Sequence, residues 1–164
     1  MPQQNAYWKL LSVKLNDIPL IGSQAIQTRV AELGREISVR YTGQDLLMLT
    51  VLKGAVLFGS DLMRHITVPL RIDFIGARSY SGTCSTGEIA FTYLPQEDLA
   101  GRHILLVEDI LDTGLTATAI LRQLQTHSPA SLTLCTLLDK PSRRKVTIEA
   151  DYVGFTIDDH FVVG

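Results

Sequence analysis

His103-Ile104-Leu105-Leu106-Val107-Glu108-Asp109-Ile110-Leu111-Asp112-Thr113-Gly114-Leu115-Thr116 is the stretch on which the fold turns. An apolar run, Ile104 to Val107, ends in two adjacent carboxylates, Glu108 and Asp109, with a third, Asp112, close behind. A short apolar run bounded by polar turns is the pattern of a fully buried parallel strand. Thr113-Gly114-Leu115-Thr116 then leads into a helix-forming segment, Ala117 to Gln125. Thr and Gly at a helix entrance suit an N-terminus whose free N–H groups hold an anion. The expected order is strand, acidic loop, phosphate cradle, helix.

Strand and helix patterns alternate on both sides of this stretch. Upstream, Ser23 is the expected N-cap of a helix in which Ile26, Val30, Leu33 and Ile37 recur at helical spacing up to about Tyr41. Leu46 to Leu52 is a buried strand, followed directly by Lys53-Gly54 and by helical spacing from Ala55 to Ile66. Leu70 to Ala77 is a third strand, and Glu88 to Leu94 is expected to return as another. Downstream, Ser131 to Leu138 is an apolar strand that runs into a basic turn, Asp139 to Lys145. Asp151 to Thr156 and Phe161 to Val163 are the last two expected strands, with Asp158-Asp159-His160 a polar turn between them. Such alternation argues an α/β domain with a mostly parallel sheet flanked by helices.

Residues 1–164 are most simply one domain, with 1–20 as an N-terminal arm. The small, polar segment around 78–92, which carries Ser79 and Tyr80 near its base, is expected to be a flexible lid loop. A net charge of −2 offers no electrostatic footprint for nucleic acid. Cys84 and Cys135 fit neither a disulfide framework nor a metal-site spacing, as expected of reduced thiols in a cytoplasmic protein. Met1 to Lys9 has no signal-peptide pattern, and no apolar run approaches the ~18 residues of a membrane span.

The chemistry gathers where strands end. In an acidic loop, Glu108 and Asp109 can reach one ligand together, either the vicinal hydroxyls of a ribose or a hard cation such as Mg2+. Asp112 is placed to act as a general base near an acidic N–H. Thr113 to Thr116 offers backbone amides and hydroxyls to a phosphate, aided by the helix dipole. Lys53-Gly54 lies at a strand's carboxyl end, where open α/β sheets bind ligands. Taken singly, these pieces also suit a solvated strand end, a capping turn and a surface lysine. Together they describe a site for a phosphorylated sugar and a metal. Neither a G-x-x-x-x-G-K-[ST] loop nor a G-x-G-x-x-G fingerprint is present.

Val107 to Thr116 resembles the phosphoribosyl-pyrophosphate motif of the type I phosphoribosyltransferases, more narrowly their hypoxanthine (hypoxanthine-guanine) branch. Leu52-Lys53-Gly54-Ala55, Asp73-Phe74, Ser79-Tyr80, Leu137 to Pro141, Val153-Gly154-Phe155 and Phe161 to Gly164 belong to the same pattern. The resemblance implies the type I fold with a small hood from the N- and C-terminal segments. It implies transfer of a 5-phosphoribosyl group to N9 of hypoxanthine, and also of guanine, giving IMP or GMP in purine salvage. Glu108 and Asp109 would bind the ribose hydroxyls and Mg2+, and Asp112 would take or share the purine N7 proton. Thr113, Gly114, Leu115 and Thr116 would cradle the 5′-phosphate. Lys53 and Gly54 would line the pyrophosphate site, where the family often has a cis peptide before the lysine, with Arg144 supporting that side. Lys140 would hydrogen-bond the 6-oxo group, Phe161 would stack on the base and Val162 would contact it through its backbone. Ser79 and Tyr80 would belong to the lid.

The same resemblance implies a cytoplasmic homodimer or homotetramer acting on small molecules, with no membrane or nucleic-acid partner. A fold-sharing regulatory or RNA-binding protein with little activity is the alternative, and an enzyme using xanthine or a pyrimidine is a third reading. In the family, the closing Val-Gly normally continues through a tyrosine, a metal-side aspartate and a pyrophosphate-contacting arginine. The sequence stops at Gly164, so it is expected to be cut short of those residues.

Overall fold

A computed structural model describes residues 19–79 and 89–162. Among these residues six strands form one sheet: β1 (Leu46–Leu52), β2 (Leu70–Ser79), β3 (Ile89–Tyr93), β4 (His103–Leu111), β5 (Ser131–Asp139) and β6 (Tyr152–Thr156). Three α-helices accompany them: α1 (Ser23–Arg40), α2 (Val56–Met63) and α3 (Leu115–Gln125). The strand order is β3-β2-β1-β4-β5-β6, parallel throughout except for β3, which pairs antiparallel to β2. Chain direction across the sheet therefore reverses between β1 and β4, the switch point where open α/β sheets bind ligands.

The central strands are buried because helices cover both faces. Leu46, Met48, Leu105, Val107 and Cys135 pack under α1 and α2, with Val30, Leu33, Ile37, Phe58 and Leu62 above them. Leu47, Leu49, Val51, Ile104, Leu106 and Leu134 face the other way onto Ala117, Ile120 and Leu124 of α3. This two-sided burial explains the apolar runs Leu46 to Leu49 of β1 and Ile104 to Val107 of β4, all of whose residues are buried. Each fully buried Leu or Ile contributes roughly 1.5–3 kcal/mol. Polar ties close the layers. Tyr41 at the end of α1 hydrogen-bonds Thr133 at 2.9 Å, and the Thr133 hydroxyl donates to the Ile104 carbonyl at 3.2 Å. Arg29 of α1 donates to the Val153 and Gly154 carbonyls on edge strand β6, at 2.9 and 3.2 Å. Buried Asp73 accepts from the Gln96 N–H at 2.8 Å, pinning the chain that follows β3.

Several expectations are corrected. Strand β4 runs on to Leu111, so Glu108 and Asp109 stand on a strand and not in a loop. The extension is held by β5, through the pairs Glu108↔Thr136, Ile110↔Leu138 and Leu111↔Asp139. The N-cap of α1 is Gly22, in extended conformation and without a side-chain cap bond, so Ser23 is already helical. Helix α2 is shorter than its apolar pattern, and Phe161-Val162 forms no strand. Within the segment 78–92 expected to be a lid loop, Arg78-Ser79 end β2 and Ile89 to Thr92 lie in β3. Residues 1–18, most of the arm, and 80–88, with Tyr80 and Cys84, lie outside the described residues, as do Val163 and Gly164.

Candidate active site

Strands β1 and β4 deliver the first residues side by side. The Leu52–Lys53 peptide is cis, as the resemblance implies. Gly54 presses so closely on β4 that a Cβ there would lie 2.7 Å from Asp109 Cγ. Any side chain at position 54 would have to displace that carboxylate. Asp109 lines a largely apolar cleft of about 290 Å³ with Gly54, Phe58, Ile110, Leu137 and Val162.

Glu108 lines a different cleft, of about 210 Å³, with Asp112, Thr113, Gly114, Thr116 and Ala117. Successive strand residues point to opposite sides, which explains the division. The two carboxyl groups still interact at the strand end. Burial raises the Glu108 carboxyl to about 8 from its ordinary 4.5, and the neighbouring Asp109 carboxyl adds to the rise. Glu108 Oε2 is buried and has no hydrogen-bond partner among the described residues. An orphaned carboxylate oxygen of this kind suits a hydroxyl donor or a hard cation. No group of three or more His, Cys, Asp or Glu among the described residues is arranged to hold a metal ion by itself. Two carboxylates nevertheless fit Mg2+, which commonly takes one or two from protein and completes its shell with substrate phosphates and water.

The expected phosphate cradle, Thr113 to Thr116, falls at the turn between β4 and α3. Gly114 has φ +81°, a left-handed conformation that a side chain resists, and it caps α3. A Cβ at Gly114 would also lie 2.5 Å from Ile148 Cγ2. The helix starts at Leu115, two residues earlier than its pattern suggests, so Leu115 and Thr116 form its first turn. Their N–H groups are among those a helix leaves without intrahelical partners. The Thr113 hydroxyl accepts weakly from the Leu115 N–H at 3.4 Å. The cleft below this turn thus combines amides, hydroxyls and the positive end of the helix dipole.

The turn after β5 supplies the cations. Arg144 donates to the Leu111 and Asp112 carbonyls and pairs with Asp139. Its guanidinium thereby fixes the backbone between the end of β4 and the glycine turn. The Lys145 N–H donates to the Thr113 carbonyl at 2.9 Å, so three successive carbonyls leading into the glycine turn are pinned from the same segment. Lys140 is buried, and its ammonium donates to the His160 carbonyl with Asp159 Oδ1 3.9 Å away. Phe161, expected to stack on a base, is 80% exposed. Lys53 is also exposed, and Ser79 is the last residue of β2. Sequence reasoning missed Arg143, which lies 3.4 Å from Asp112 Oδ1 and 3.4 Å from Asp159 Oδ2. The available signal was a basic turn placed, like the acidic motif, just beyond the carboxyl end of a parallel strand.

A six-stranded, mostly parallel sheet with an acidic strand end and a glycine turn at its switch point defines a class, to which known proteins can be matched. The family described as "Phosphoribosyl transferase domain" matches residues 21–164, and the chain belongs to that family. Its curated relatives narrow the branch. The chain is 47% identical over 152 residues to a hypoxanthine-guanine phosphoribosyltransferase of Mycobacterium avium, covering 88% of this chain and 75% of the relative. It is 42% identical over 148 residues to a hypoxanthine phosphoribosyltransferase of Escherichia coli, covering 88% and 83%. A solved hypoxanthine-guanine phosphoribosyltransferase of Bacillus anthracis superposes with a TM-score of 0.84 at 40% identity, covering 88% of this chain and 86% of that one.

Proposed function

We propose that the chain transfers the 5-phosphoribosyl group of phosphoribosyl pyrophosphate to N9 of hypoxanthine, and of guanine, releasing IMP or GMP and pyrophosphate. The observation that carries this reading is the meeting of Glu108-Asp109, the Thr113 to Thr116 turn and Lys53-Gly54 at one switch point. The names of the relatives from M. avium, E. coli and B. anthracis support the choice of 6-oxopurines.

In this reading the amides of Leu115 and Thr116 and the hydroxyls of Thr113 and Thr116 hold the 5′-phosphate. Glu108 and Asp109 hold the ribose hydroxyls. As pyrophosphate leaves, C1′ becomes electron-poor, and carboxylates fixed beside it favour that state. Asp112 takes the proton from purine N7 while N9 bonds to C1′. Lys140 donates to the 6-oxo oxygen, and an adenine amino group there would set donor against donor, a mismatch that discriminates strongly. For this, Lys140 exchanges the His160 carbonyl for the base, and Val162 and Phe161 complete the base side. Lys53 and Gly54 border the departing pyrophosphate, and Ser79 and Tyr80 belong to a lid that excludes water. Mg2+, when bound through Glu108 and Asp109 and substrate oxygens, supplies positive charge to the phosphoribosyl pyrophosphate.

We place the enzyme in the cytoplasm, as a homodimer or homotetramer; no helix among the described residues is long and apolar enough to cross a membrane. The test is a spectrophotometric assay with phosphoribosyl pyrophosphate, Mg2+ and each of hypoxanthine, guanine, xanthine and adenine. IMP and GMP are expected. No nucleotide from either of the first two bases refutes the proposal, and nucleotide binding without turnover would point to a regulatory protein instead.

A further inference from the structure

Arg143 has no part in the proposed chemistry above, yet it touches both halves of the site. Its Nε lies 3.4 Å from Asp112 Oδ1, and its Nη1 lies 3.4 Å from Asp159 Oδ2. Asp159 in turn faces the Lys140 ammonium at 3.9 Å. A chain of charges therefore runs from Asp112 through Arg143 and Asp159 to Lys140. The arginine is presented from a rigid support. Its own N–H donates to the Lys140 carbonyl at 3.1 Å, within the 3₁₀ turn Pro141–Arg143. The next residue, Arg144, is clamped on the Leu111 and Asp112 carbonyls, and the Lys145 N–H is bonded to Thr113. Asp159, by contrast, belongs to a segment without regular structure, and that segment carries Phe161 and Val162.

The purine explains why such a span matters. The 6-oxo oxygen and N7 are neighbours on one edge of the base, so a donor to the first and an acceptor from the second must be held at a set spacing. Lys140 and Asp112 are those two groups in the function proposed above. We infer that Arg143 is a positioning residue: it bridges Asp112 and Asp159, and so keeps Asp112 in register with the base held by Lys140 and the 157–162 segment. This inference rests on the proposed 6-oxopurine transfer. A guanidinium suits the task because its charge is spread over a wide planar fork, which hydrogen-bonds Asp159 while its Nε side faces Asp112, a span a single ammonium covers less well. Arg143 and Asp159 are about half-exposed, at 50% and 54%, so their pair contributes little to folding. Asp112 Oδ1, by contrast, is buried without a hydrogen bond among the described residues and faces Arg143 only as an ion pair; the value of both contacts lies in placement. Small misplacements of reacting groups are costly to rate.

The experiment measures kcat and KM for wild type, Arg143→Ala, Arg143→Lys, Asp159→Asn and Arg143→Ala/Asp159→Asn, with thermal melts of each. Arg143→Ala is expected to lower kcat about tenfold. Its KM for phosphoribosyl pyrophosphate should stay within about twofold and its melting temperature close to wild type. Arg143→Lys should recover part of the loss. Asp159→Asn should fall in the same direction, and the double variant should be no worse than Arg143→Ala, because both remove one bridge. Unchanged kcat in Arg143→Ala overturns the inference, as do losses that multiply in the double variant. A raised KM for phosphoribosyl pyrophosphate at unchanged kcat overturns it too, since that would make Arg143 a substrate contact. A wild-type chain that transfers nothing sinks the transfer reading and this inference together, whereas an active wild type beside an unaffected Arg143→Ala sinks the bridge alone.

Discussion

Replacing Glu108 by Gln tests the acidic pair without emptying the cleft, since the two side chains are nearly equal in shape. Glu108 is 9% exposed, one of its oxygens lacks a partner, and its carboxyl titrates at about 8 instead of 4.5, through burial first and Asp109 second. The sign follows from linkage. The folded chain holds this proton more tightly than the unfolded chain does, so the group exacts no penalty below the unfolded value of 4.5. The penalty then grows as pH rises and is complete above about 8. At about 1.36 kcal/mol per pH unit the ceiling is about 5 kcal/mol. Relaxation and water penetration reduce such penalties, so roughly half of that, ~2 kcal/mol, is the expected size. Glu108→Gln removes the penalty. Without divalent cations it should match wild type near pH 4.5 and exceed it by ~2 kcal/mol at pH 8, or about 4–8 °C in Tm for a chain of this size. Urea titrations at three pH values, paired with thermal melts, provide the measurement. With Mg2+ and phosphoribosyl pyrophosphate present, the ranking should reverse at pH 8, because only the wild type gains from those ligands. A stability difference that does not change with pH would refute the assignment of Glu108 as a buried, proton-holding carboxyl.

Three further outcomes are expected. Asp112→Asn keeps shape and removes the base, so kcat should fall about 10²–10⁴-fold while KM for phosphoribosyl pyrophosphate changes little; steady-state kinetics that leave kcat intact exclude the role. Gly114→Ala forces a side chain into a φ of +81° and to 2.5 Å from Ile148 Cγ2, so stability should drop by about 1–3 kcal/mol, with weaker binding of the 5′-phosphate. Denaturant unfolding and phosphoribosyl-pyrophosphate calorimetry check both, and an unaltered affinity would remove the turn from the phosphate site. Lys140→Ala should raise KM for hypoxanthine and guanine at least tenfold and leave phosphoribosyl-pyrophosphate binding in place. Equal loss of both ligands contradicts its place on the base side.

Much of the molecule could be read along the chain. Leu46 to Leu52 has the bounds its pattern suggests, because a strand buried on both faces is apolar at nearly every position, Thr50 excepted, and stops where polarity returns. Helix α1 followed from residues spaced to meet one face of the sheet, although Gly22, and not the hydroxyl of Ser23, occupies its cap. The sugar-phosphate motif was legible because its carboxylates, hydroxyls and glycine are contiguous. The length of β4 was not. Its last four residues, Glu108 to Leu111, include two carboxylates that look like the start of a loop, and they remain strand only because β5 supplies the ladder beside them.

The sequence by itself determined the alternation of strands and helices, the apolar core and the acidic, glycine-containing turn, since each depends on residues within a few positions of one another. Tertiary structure alone decided what surrounds that turn. Arg144 reaches carbonyls 32 and 33 residues away, and Ile148 fills the space a side chain at Gly114 would need. Arg143 joins Asp112 to Asp159, and Gly54 meets Asp109 across two strands. These contacts arise because the sheet order sets the ends of β1, β4 and β5 side by side, and no local periodicity in a chain encodes which strand ends become neighbours.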